Sequence, residues 1–246
     1  MNSISPILNI MIRACEKASK VIIRDFGEIE NLQVKKKGPK DFVTKTDKRV
    51  EKILIEELKK SKKNYSFISE ETGIIDNLDK DNFWIIDPID GTTNFLHGIP
   101  HFAISIALRC KNEIISGLIF DPIKNEMFYA EKNAGSFFNN RRIRVSKKIE
   151  LEDCLFATNH EGAIHSKLNL RYTGCAALDL AYVANGRFDG YFYNKINIWD
   201  IAAGVIILKE AGGKVNDINK FSINNINIRA SNNNIHNKML ENLNKF

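Results

Sequence analysis

Asp87-Pro88-Ile89-Asp90-Gly91-Thr92-Thr93 sets two carboxylates around a proline, directly after the apolar run Phe83-Trp84-Ile85-Ile86. Pro88 restrains the backbone between the aspartates, so both can face one cavity. Gly91 lets the backbone approach a ligand closely. Gly91, Thr92 and Thr93 read as a helix start whose amides bind phosphate oxygens, and the Thr92 hydroxyl suits an attacking water. Three further acids stand at apparent element ends. Asp47 follows a strand-like run and opens a helical pattern, Glu70 ends a strand, and Asp200 follows Trp199 at a helix start. Carboxylates just beyond buried strands are not core filler. Several that converge repel one another unless a cation neutralises them. Hard oxygen ligands suit Mg²⁺ or Mn²⁺, not Zn²⁺. Such ligands beside an anion-binding helix start point to metal-assisted phosphoryl hydrolysis, with two metals about 3.5–4 Å apart on the attacking and leaving oxygens. Singly, each acid has an ordinary explanation as a surface turn, a solvated charge or a helix cap. Their joint occurrence carries the metal site.

These residues need elements to hold them. Ile4, Ile7, Leu8, Met11, Cys15, Ala18 and Ile22 recur at helical spacing, which predicts an amphipathic helix from about Ser5 to Phe26. Thr46 or Asp47 is expected to cap a second helix with the stripe Val50, Ile53, Leu54 and Leu58. Short strands are expected at 65–69 and 83–86. A meander of antiparallel strands follows at 102–108, 114–120 and 126–130 and continues through 135–145. The second half reads as strands at 155–158 and 190–193, with helices at 176–185 and 199–211. The boundary lies near 145–153, giving an N-terminal α+β half (1–147) and a smaller C-terminal half (148–246) in one catalytic unit. Sheets packed between helix layers, an α+β arrangement, are the expected fold.

Composition narrows the classes. Hydrophobic residues are 43% and charged residues 27% of 246, ordinary globular values. No apolar run is long enough to span a bilayer, and the start lacks a signal-peptide pattern. Cys15, Cys110, Cys154 and Cys175 form no CxxC pair, which suits reduced thiols in the cytoplasm better than a disulfide framework or zinc. The net charge is +6, with basic clusters at 35–37, 59–63 and 141–148. Attraction of anionic substrates, nucleic-acid binding and a plain solvated surface all fit that charge.

The whole set resembles a known family. Trp84-Ile-Ile with Asp87-Pro-Ile-Asp-Gly-Thr-Thr-Asn-Phe95 resembles the first signature of the inositol monophosphatase family, and Trp199-Asp200-Ile-Ala-Ala-Gly204 with Glu210-Ala-Gly-Gly213 its second. Val43-Thr44-Lys45-Thr46-Asp47 and Ser69-Glu70-Glu71-Thr72 match the remaining acidic segments in order. The resemblance implies a layered αβαβα sandwich of the inositol monophosphatase/fructose-1,6-bisphosphatase type, a homodimer, and Mg²⁺-dependent, lithium-sensitive hydrolysis of small phosphate monoesters. By the same resemblance, Glu70, Asp87 and the Ile89 carbonyl bind a first metal. Asp87, Asp90 and Asp200 bind a second, and Glu70 holds a third, weaker one with its water. Thr92, hydrogen-bonded to Asp47, orients the nucleophile, and the Gly91 and Thr92 amides hold the phosphate. Gly174-Cys175-Ala176 lines the substrate pocket and Lys36 matches a mobile-loop lysine. His97 and His101 are read as structural.

Two departures stand out. The segment between Thr158 and Leu170 is short where the family has an additional helix. Tyr193, with Lys195 close by, stands seven residues before Asp200, where inositol-selective members carry a glutamate. A phenol in that place suits a different leaving group if it faces the pocket, and a local loop shift would move it out. Inositol phosphate, another sugar phosphate, histidinol phosphate and a 3′-phosphonucleotide are all expected candidates. Association with RNA or RNA polymerase is the alternative from the binding class.

Overall fold

Ser5 begins the first element: its hydroxyl accepts from the Leu8 amide at 3.2 Å, and Pro6 takes the first helical position of α1 (Pro6–Gly27). The computed structural model describes residues 4–28, 34–36, 42–160, 168–216 and 222–243, with side chains throughout except at 34–36 and 42–44. Of the expected stripe, Leu8, Met11, Cys15, Ala18 and Ile22 are buried and Ile4 and Ile7 half-buried. β1 (Val34–Lys36) pairs antiparallel with β2 (Phe42–Thr44), which leads into α2 (Lys45–Ser61). Thr46 and Asp47 were expected as caps. They lie instead inside the first turn of α2 and are buried, and the Thr46 hydroxyl donates to Asp25 at 2.7 Å.

The next elements are β3 (Tyr65–Ser69), β4 (Gly73–Ile75), β5 (Asp79–Asp90), α3 (Thr92–Leu96), β6 (Ala103–Cys110), β7 (Glu113–Asp121), β8 (Glu126–Glu131), β9 (Gly135–Phe138) and β10 (Arg141–Arg142). The strands form one sheet in the order β10-β9-β8-β7-β6-β5-β3-β4. Neighbours from β5 to β10 are antiparallel, as the meander requires, while β3 and β5 run parallel. β5 is longer than the four-residue run expected, because pairing with β3 begins at Asp79 and pairing with β6 carries the strand on to Asp90.

The chain then forms β11 (Leu155–Thr158), β12 (Asn169–Arg171), α4 (Ala176–Ala184), β13 (Gly190–Ile196), α5 (Ile198–Glu210), β14 (Lys214–Val215), β15 (Ile226–Ser231) and α6 (His236–Leu243). Its strands make a second sheet in the order β12-β11-β13-β15-β14.

Three apolar clusters show how the layers stack. Met11, Ile22, Leu54 and Leu58 of α1 and α2 pack with Trp84, Ile86 and Ile104 on one face of the first sheet. Ile85, Ala107 and Ile119 on its other face meet Leu180 of α4, Ile206 of α5, and Tyr191 and Ile228 of the second sheet. Phe156 and Phe192 on the far face of the second sheet meet Ile235 and Met239 at α6. The order is therefore helix, sheet, helix, sheet, helix. α4 and α5 are apolar on nearly every side because a sheet covers each of their faces. Gly117 allows the close contact: a Cβ there would lie 2.9 Å from Ala203 Cα of α5.

Candidate active site

Asp87 and Asp90 are an odd number of residues apart, so a regular strand would point them to opposite faces. The register prevents this. Asp87 pairs with Ser105 and Asp90 with Ala103, so two residues of β5 (Pro88 and Ile89) stand opposite one residue of β6. This is a β-bulge, and it re-aims Asp90. Ile89 packs into the cluster beneath α1 and α2, and both carboxyls turn toward the helix layer between the sheets. The Ile89 amide donates to Asp87 Oδ1 at 3.0 Å and fixes that side chain.

Asp200 comes from the start of α5. Its carboxylate accepts from the Asn197 amide at 3.0 Å, reciprocating the N-cap. Carboxylate oxygens of Asp87, Asp90 and Asp200 all lie within 4.8 Å of one another. Glu70 follows β3 directly, its amide donates to the Ile86 carbonyl oxygen at 3.3 Å, and its carboxyl lies beside Asp87. Asp90 is held from the second half of the chain: its Oδ2 accepts from the Ala177 amide at 2.6 Å and the Cys175 thiol at 3.0 Å. The start of α4 thus binds the carboxylate through its amides.

Burial and mutual repulsion set the charge state. Burial, then the charges of Asp200 and Asp47, push Glu70 up to about 8. Burial and the neighbouring Glu70, Asp90 and Asp200 hold Asp87 well above the usual carboxylate range. Burial raises Asp90 to about 6 against the lowering pull of the Cys175 thiol and the α4 amides. An acceptor-only cluster at this spacing is satisfied by shared protons or by a hard cation.

A model of the inositol monophosphatase family matches residues 3–245. The chain belongs to the inositol monophosphatase family. It is 44% identical to an inositol-1-monophosphatase of Mesorhizobium japonicum over 229 residues, 87% of this chain and 86% of that one. It is 42% identical to the protein named Nus factor SuhB of Haemophilus influenzae over 243 residues, 93% and 90% of the two chains. The crystal structure of extragenic suppressor protein suhB from Bartonella henselae superposes with a TM-score of 0.90 at 44% identity, covering 97% of this chain and 98% of that one.

Within this family member the structure brings Asp47, Glu70, Asp87, Asp90 and Asp200 to one place, Asp47 through its charge on Glu70. Gly91 caps α3 with φ +90°, and a Cβ there would meet the His101 carbonyl oxygen at 3.0 Å. Gly174, Cys175 and Ala176 stand at the start of α4 against Asp90. His97 and His101 are not among the grouped metal-ligand candidates of the described residues. The Lys36 side chain and residues 161–167 lie outside the described residues.

Thr92 and Tyr193 each make a bond that the sequence did not show. The Thr92 hydroxyl donates to the Ile89 carbonyl oxygen at 2.8 Å. That carbonyl is itself the expected metal ligand, so the two roles meet in one bond. Tyr193 does not offer an open phenol. It is 5% exposed, stacks on Tyr191 with centroids 4.3 Å apart, and donates to Asp179 Oδ2 at 2.7 Å.

Asp179 and Glu51 escaped the sequence reading. Asp179 also accepts from the Thr173 hydroxyl at 2.8 Å, and burial raises it to about 8. Glu51, 2% exposed on α2, accepts from the hydroxyls of Ser69 and Thr72 and from the Glu71 amide at 2.9 Å. It therefore clamps both sides of Glu70. Its signal was an acid four residues after Asp47, beside Val50 and Leu54 on the buried face.

Proposed function

We propose that this chain hydrolyses small phosphate monoesters with Mg²⁺, using two to three ions and accepting Mn²⁺ as a substitute. The observation that carries the reading is the convergence of Asp87, Asp90 and Asp200 within 4.8 Å, with Glu70 beside them. The fit to a cation rests on donor chemistry: every group is a carboxylate, and each of Glu70, Asp87 and Asp90 is raised by burial in its absence. These four, with the Ile89 carbonyl once Thr92 releases it, would hold the metal. Magnesium bound there supplies charge neutralisation and a more acidic water.

The chain's own residues do the rest. The backbone at Gly91 and Thr92 orients the phosphate, where the left-handed Gly91 leaves room for a close approach. Asp47 takes up the proton of the attacking water as its oxygen bonds to phosphorus; the ester P–O bond breaks and the leaving alkoxide takes a proton from solvent. Thr92 orients that water once its hydroxyl turns from Ile89. The start of α4 fixes Asp90 and forms one wall of the pocket. The substrate is inositol 1-phosphate or a related sugar or polyol phosphate, with histidinol phosphate and a 3′-phosphonucleotide as alternatives; Tyr193, held against Asp179 in the core, is not among the groups that select it.

The test is phosphate release from a panel of monoesters with Mg²⁺, with and without Li⁺. EDTA silences the enzyme and Mg²⁺ restores it; full activity in chelator overturns the reading. Dimerisation and a cytoplasmic location belong to the same proposal. Among the described residues, no helix is long and apolar enough to cross a membrane.

A second reading, association with RNA or RNA polymerase, draws on the +6 charge and on relatives named Nus factor SuhB. Salt-dependent RNA retention by the Asp87→Asn variant would support it.

A further inference from the structure

We propose that the groove between α5 and the first sheet is a second binding site, one that takes a small organic carboxylate with an apolar body. The groove has a volume of about 240 Å³. Ile85, Ile114, Ile198, Val205 and Ile206 give it an apolar lining, and Arg109 lines it from β6. Arg109 shares a sheet face with Ala103 and Ala107, the face that α5 covers.

The state of Arg109 decides the ligand's charge. Its guanidinium sits over the Phe83 ring at 4.4 Å. No hydrogen bond or ion pair joins it among the described residues, and its Nε is buried without a hydrogen-bond partner. Burial alone lowers its pKa, with no carboxylate acting against that shift. A cation–π contact satisfies none of the N–H donors. A half-buried guanidinium in this state is matched by a planar anion that takes two parallel hydrogen bonds, which is carboxylate geometry.

Two carboxylates, Glu113 and Glu210, also line the groove, and each has donors of its own. Lys132 pairs with Glu113 at 2.5 Å. Glu210 accepts from the Asn133 and Gly135 amides, each at 2.8 Å. Lys209 is exposed at the last turn of α5 and adds a second cation at the groove. Five aliphatic side chains call for an apolar body behind the carboxylate. The site is separate from the metal cluster yet adjoins it in sequence: Ile85 and Ile198 each stand two residues before a clustered acid, Asp87 and Asp200.

The test uses hexanoate on the full chain, read by calorimetry and by saturation-transfer NMR. Saturable binding is expected below about 10 mM. It should weaken at least about tenfold in Arg109→Gln and for 1-hexanol, which keeps the body and loses the charge. Arg109→Lys should fall between, since it keeps the charge and loses the fork. Lys209→Glu, at an exposed position that folding tolerates, should weaken binding too. Asp87→Asn and an excess of inorganic phosphate should leave it unchanged. Equal binding by Arg109→Gln, equal binding of hexanol, displacement by phosphate, or no saturation up to about 10 mM each overturns the proposal.

Discussion

The hydroxyl of Tyr193 donates to the buried carboxyl of Asp179 at 2.7 Å. The bond ties β13 to α4, one residue pair away from the groups that hold Asp90. Tyr193→Phe leaves Asp179 with the Thr173 hydroxyl as its side-chain donor, so it should cost about 1–3 kcal/mol. Tyr193→Glu should cost more, and increasingly so at higher pH, because it sets a second carboxyl against Asp179. Denaturant melts of both variants from pH 5 to 8 check this; equal stability of all three chains would remove the bond from the account.

The contribution of the acid cluster and Asp179 to metal-free stability should fall as pH rises from about 4 to 8, while the lowered His101 and His236 act with the opposite sign below the ordinary histidine pKa. Glu70 and Asp179 titrate at about 8 and Asp90 at about 6, all above ordinary carboxylate values. At these groups the folded state therefore keeps protons that the unfolded chain has already lost, and the slope of their contribution with pH is negative across that window. Mg²⁺ should flatten the slope by stabilising the ionised cluster. Thermal melts in EDTA and in Mg²⁺ across this range measure both slopes.

Asp87→Asn and Glu70→Gln should each reduce turnover by at least about 100-fold. Their metal-free melting temperatures at pH 8 should hold at or above the parent's, because each change removes a member of a repelling set. Activity retained in either variant would sink the assignment of the cluster.

Glu51 acts through Glu70, as a positioning residue. All three of its partners are donors, so Glu51→Gln turns an amide N–H₂ toward a donor. The half-saturating Mg²⁺ concentration should rise about 10–100-fold, with a smaller change in KM for the ester at saturating metal. A variant that only loses stability, with metal affinity intact, would refute the positioning role.

Gly91→Ala should cost about 1–2 kcal/mol through its φ of +90°. The added Cβ also meets the His101 carbonyl oxygen at 3.0 Å and shifts the start of α3. Turnover should drop while Mg²⁺ affinity changes little; comparing kcat with metal titration separates the two.

The local elements were largely legible in the sequence, because their signals are local. The stripe of α1, the meander from β6 to β9 and the ordered acids at element ends all follow from spacing and flanking turn residues. The αβαβα order came from resemblance and not from spacing, since layer order depends on which faces meet. The length of β5 was underestimated because its outer residues are held by strand pairing, not by apolar character.

The chemistry of the acids was also a property of the sequence: five carboxylates at element ends require a partner wherever they converge. Their convergence was a tertiary matter. Asp87 and Asp90 share a face only because of a bulge in the β5–β6 register, and Asp90 is steadied by the Ala177 amide 87 residues further along. Tyr193 carried no local mark to show whether it faces substrate or core. Burial against Tyr191 and the nearness of Asp179 decided that, because a buried phenol must find an acceptor and this carboxyl was the one within reach.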